Sequence, residues 1–98
     1  MAFKVILIGT DAEILDADDY EQEFHEFLKG LGLEENNFRL EVPSANKPFK
    51  DMETWVWAAT RAQAEDTAAR ITGAGPYKGQ PLTLVGIEES SKYIKFDQ

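Results

Sequence analysis

Asp18-Asp19-Tyr20-Glu21-Gln22-Glu23-Phe24-His25-Glu26-Phe27-Leu28-Lys29-Gly30-Leu31-Gly32 carries its large apolar residues at Tyr20, Phe24, Phe27, Leu28 and Leu31. The spacing i, i+4, i+7, i+8, i+11 lines one side of an α-helix with an apolar stripe. Asp18 is the expected N-cap, and Glu21 three residues on completes a capping-box pattern. Gly32 stands where a left-handed C-cap belongs, with Leu33 placed to fold back on the last turn. A helix of this kind needs a sheet or another helix to receive its stripe, so the flanking segments decide the architecture.

Upstream, residues 3–8 form a β-branched, apolar run that stops at Gly9-Thr10-Asp11, the pattern of a buried strand. Downstream, Phe38, Leu40 and Val42 alternate with Arg39 and Glu41, the period of a half-buried strand, which Pro43 ends. Residues 44–51 hold several polar residues and Pro48, directly after Pro43, and read as a loop. Residues 54–59, Thr54-Trp55-Val56-Trp57-Ala58-Ala59, are strand-like in their aromatic and β-branched content.

Thr60 is the expected cap of a second helix, with Gln63 at the capping-box position and a narrow face of Ala64, Thr67, Ala68 and Ile71. Small side chains on that face let a helix lie close against a sheet. Gly73, Gly75 and Pro76 are its stop signals. Residues 82–87 read as a further strand, and residues 93–96 as an added short one joined through Glu88-Glu89-Ser90-Ser91. The order is β-α-β-β-α-β with a C-terminal strand added. Its simplest packing is an α+β, ferredoxin-like sandwich, with two helices on one face of an antiparallel sheet. The alternative is a small three-layer fold opening on a βαβ unit. Ninety-eight residues are few for covering both faces of a parallel sheet, so the first is favoured. One domain over residues 1–98 is expected.

The net charge is −8, and it is concentrated. Asp11, Glu13, Asp16, Asp18, Asp19, Glu21, Glu23 and Glu26 fall within residues 11–26 without a Lys or Arg among them, leaving ten acids against ten bases elsewhere. Direct binding to nucleic acid is not expected, since it requires clustered Lys and Arg. The 43% apolar and 29% charged content is that of a folded globular chain. There is no cysteine, hence no disulfide or thiol chemistry, which suits a reducing compartment. The apolar run at residues 3–8 is too short for a signal peptide or a membrane span, and we expect a cytoplasmic protein.

Residues 8–11, Ile8-Gly9-Thr10-Asp11, sit where phosphate-binding loops occur but match neither glycine-rich phosphate motif, and the acids around them repel phosphate. The glycine-rich segment 73–79 follows a helix, the wrong context for such a loop. His25 is the single histidine; without cysteine or a second histidine no zinc or copper site is expected. The carboxylates of residues 11–19 lack the spacing and the turn glycine of a calcium-binding loop. No nucleophile–base grouping stands out, so we expect neither catalysis nor a cofactor.

Two surfaces remain. Trp55 and Trp57 point to one side of their strand and Val56 and Ala58 to the other. If the latter face the helices, the tryptophans lie on the sheet's open face, covered by the C-terminal strand or by a second copy in a homodimer. The other surface is the acidic segment 11–26. Acids in a first helical turn favour the helix dipole and keep a protein soluble. Gathered without compensating bases, they also suit a basic protein partner, including one whose groove ordinarily holds nucleic acid. The expected function is thus a non-enzymatic binding module, with the nucleic-acid-mimicking inhibitors of phage and mobile elements as its type. A ligand-sensing or oligomerising module using Trp55 and Trp57 is the alternative, and a structural component of a larger assembly a further one.

Overall fold

A computed structural model describes residues 2–9, 17–30, 39–41, 53–72 and 82–94. Its elements run β1 (Ala2–Gly9), α1 (Ala17–Gly30), β2 (Arg39–Glu41), β3 (Glu53–Ala58), α2 (Arg61–Ile71) and β4 (Leu82–Ser90). The chain is a small α+β fold with a four-stranded sheet in the order β2-β3-β1-β4. Every neighbouring pair is antiparallel: Val5 lies opposite Val56 and Ile87, and Leu40 opposite Val56.

Alternation along the strands sorts the side chains onto two faces. Val5 and Leu7 of β1, Leu40 of β2, Val56 and Ala58 of β3 and Leu82 of β4 join one core cluster with Tyr20, Phe24 and Leu28 of α1 and Ala64, Ala68 and Ile71 of α2. The apolar stripes of both helices therefore meet the same side of the sheet. Ala64, Thr67, Ala68 and Ile71 are the buried residues of α2, as its small-residue face predicts. Thr60 caps it, its hydroxyl accepting from Gln63 N at 3.1 Å.

One polar contact crosses this apolar layer. Tyr20 and Thr54 are both fully buried, and their hydroxyls hydrogen-bond to each other across the α1–β3 boundary. A buried hydroxyl without a partner is costly, so the pair fixes where α1 sits along β3 as well as how deeply.

Three expectations from the sequence are corrected. Asp18 is not the N-cap: α1 begins at Ala17, which places Asp18 and Asp19 in the first turn, where their charge faces the unpaired N–H groups. Second, the last strand does not stop at residue 87. β4 continues through Glu88 and Glu89 to Ser90 because β1 offers partners along its whole length, as far as Ala2 opposite Ser90. Finally, Tyr93 and Ile94 form no added strand; the chain leaves β4 at residue 91, and Ile94 packs back as a single buried side chain. Asp11, Glu13, Asp16, Leu31, Gly32, Leu33, the 44–51 loop, the 73–79 glycine segment and Phe96 lie outside the described residues.

Candidate functional site

α1 presents two contrasting sides. Successive residues turn by 100°, so the buried Tyr20, Phe24 and Leu28 share one side while Asp18, Gln22 and Glu26 run along the opposite crest. Asp19 and Glu23 lie on one flank of that crest, Glu21 and His25 on the other. Asp18, Asp19, Glu21 and Glu26 are exposed, and Glu23 and His25 are half-buried. Asp18, Glu21, Gln22, His25 and Glu26 line a shallow surface depression. Five of the eight acids singled out in the sequence are thus brought together on one helix.

Among the described residues, no Lys or Arg pairs with Asp18, Glu21, Glu23 or Glu26. On other elements, ion pairs join Lys4 to Glu88 at 3.5 Å, Arg39 to Glu41 at 3.4 Å and Arg70 to Asp66 at 3.1 Å. The first base along α1 is Lys29, in its last turn, where a cation is favourable to the helix dipole.

The opposite face of the sheet is arranged differently. Trp55 and Trp57 do point away from the helices, together with Lys4 and Ile6 of β1 and Arg39 and Glu41 of β2. Lys4 Nζ lies 3.9 Å from the Trp55 ring centroid and 5.7 Å from that of Trp57. Trp55 Nε1 donates to Glu53 Oε1 at 2.9 Å. Trp57 is 4% exposed, in a second small cluster with Ala2 and Ile94. Reading β3 by itself misses Lys4, because its base comes from the neighbouring strand; the signal was Lys4 standing alone in the apolar run of residues 3–8. On this face Trp57 is covered and Trp55 half-buried, and Lys4 and Arg39 are paired with Glu88 and Glu41.

Among the described residues, no three histidine or acidic side chains converge in the manner of a metal site. None of their helices is long and apolar enough to cross a membrane. Comparison of the chain with protein-family models, curated proteins and solved structures finds no match.

Proposed function

We propose that the chain is a non-enzymatic binding module whose acidic segment, residues 11–26, docks on a basic protein surface, best of all a groove that otherwise receives nucleic acid. One observation carries this reading: the acids gathered on α1, of which Asp18, Glu21, Glu23 and Glu26 meet no Lys or Arg among the described residues. From Asp18 to Glu26 five carboxylates are strung along about 12 Å of helix axis at about 1.5 Å per residue, close to one charge per 3 Å. One strand of B-DNA carries a charge about every 3.4 Å. A row of Lys and Arg spaced for phosphates therefore meets α1 at a matching linear charge density, and the surrounding field speeds encounter.

Two further readings go with it. The fold is taken as ferredoxin-like: read from the other edge, β4-β1-β3-β2 with both helices on one face is the arrangement that the β-α-β-β-α-β order favours. The site of action is taken as the cytoplasm, in keeping with a cysteine-free chain.

The test uses the immobilised chain and its Glu21→Gln, Glu23→Gln, Glu26→Gln variant to capture proteins from an extract of the native host. A basic nucleic-acid-binding protein is expected on the wild type, released by added duplex DNA. The variant is expected to hold it roughly threefold to 150-fold less tightly, taking about 0.2–1 kcal/mol for each of the three carboxylates lost. Equal retention by both, or indifference to DNA, rejects the proposal.

A further inference from the structure

β4 is an edge strand: β1 is its neighbour on one side, and among the described residues nothing pairs with the other. At nine residues it is the longest strand of the sheet, and neither Lys nor Pro interrupts it. Those are common devices by which proteins keep an edge from pairing. The register with β1 slips between Ile6 and Leu7: Gly86 faces Ile6 and Leu84 faces Leu7, leaving Val85 as the extra residue of a bulge. Leu84 is 38% and Val85 60% exposed, so adjacent apolar side chains stand in solvent on the longer of the two sheet edges among the described residues.

We infer that this edge joins two copies of the chain, β4 against β4, in an antiparallel two-fold pairing about Val85. Self-complementarity selects a second copy as the occupant. Residues 82–87 carry no charge, and in this register they meet themselves: Val85 opposite Val85, Leu84 opposite Gly86 and Thr83 opposite Ile87. Glu88 falls opposite Leu82, about 20 Å from its counterpart at about 3.3 Å per residue, so the acids of the two edges do not confront each other. Glu88 is moreover partnered within its own copy by Lys4, which lowers the edge's attraction for a basic foreign strand. The product is an eight-stranded sheet with both helical layers on one face. α1, packed over β2 and β3, lies far from the junction and keeps its acidic crest open.

This pairing and the proposed docking respond to salt in opposite directions. Two copies at −8 each repel, and raising salt from about 0.1 M to about 1 M shortens the Debye length from about 10 Å to about 3 Å, which strengthens the dimer while weakening a complex with a basic partner. Sedimentation equilibrium of the full chain at both salt concentrations, with a Val85→Lys variant, decides the matter. The expected result is a concentration-dependent dimer, tighter at high salt, with the variant weakened about tenfold or more by edge charges brought into contact. A wild type that stays monomeric at high salt, or a variant that dimerises equally well, overturns the inference. Amide hydrogen exchange of the wild type at residues 83–87 is a check that needs no substitution: protection should rise with protein concentration, and protection independent of concentration also overturns it. The Glu21, Glu23, Glu26 variant, with three fewer negative charges per copy, should dimerise at least as tightly as the wild type, so loss of docking and loss of pairing are separately visible.

Discussion

Phe24→Ala is expected to lower stability by about 3–5 kcal/mol, the range for emptying a fully buried phenylalanine site. Phe24 is the middle residue of the α1 stripe, with no exposed surface. Its ring meets Tyr20 edge-on at 5.7 Å between centroids and Phe27 at 6.4 Å. Truncation leaves a cavity between α1 and the sheet that neither neighbour can fill without leaving its own contacts. A domain of this size commonly holds about 5–15 kcal/mol in total, so the loss is a large share. It corresponds to a fall in melting temperature of roughly 12–40 °C, at about 4–8 °C per kcal/mol. Thermal denaturation followed by circular dichroism measures it. The effect reaches function because Phe24 helps to hold the acidic crest at a fixed distance from the sheet. A loss under about 1 kcal/mol would mean that α1 is not anchored through this stripe.

The second large effect is alkaline destabilisation through Tyr20. Burial pushes its hydroxyl from the ordinary 10.0 up to about 12, against the smaller opposing influence of its hydrogen bond to Thr54. In the folded chain Tyr20 therefore keeps its proton between pH 10 and about pH 12, whereas in the unfolded chain it has already lost it. The folded state binds more protons across this window, so stability falls as pH rises. The contribution is whole below pH 10 and is lost on passing pH 12; at about 1.36 kcal/mol per pH unit it amounts to roughly 2–3 kcal/mol. Urea unfolding across the window measures it, with Tyr20→Phe as the control. That variant should be about 1 kcal/mol less stable at neutral pH, since Thr54 loses its buried partner. It should also show a correspondingly shallower alkaline decline. Equal declines in both proteins would remove Tyr20 as the cause.

Much of the architecture was legible because local signals and tertiary packing agree. The stripe through Tyr20, Phe24 and Leu28 and the small face of α2 are periodic patterns with a single solution each, and Thr60 with Gln63 is a local cap that needs no distant partner. The features that escaped depend on long-range pairing. The length of β4 is set by β1, more than eighty residues away, and nothing within Glu88-Glu89-Ser90 announces a strand. The bulge at Val85 comes from a register mismatch between two strands and has no local signature. Trp57 is covered by Ile94, 37 positions on, so its burial could be anticipated only as a class of outcome. For the acidic surface, the clustering was visible in composition, but its division into crest and flanks required the helix. That Lys4 and Arg39 are engaged elsewhere, leaving four α1 acids without a basic partner among the described residues, required the sheet register.

The salt dependence of binding to the captured partner tests the central claim most directly, measured in parallel for the wild type and the variant neutralised at Glu21, Glu23 and Glu26. If carboxylates on α1 are what the partner grips, the wild type's log Kd rises steeply with log salt and the variant's line is shallower and displaced to weaker binding. Two parallel, superimposed lines would mean that the negative charge of this helix is not the recognised feature.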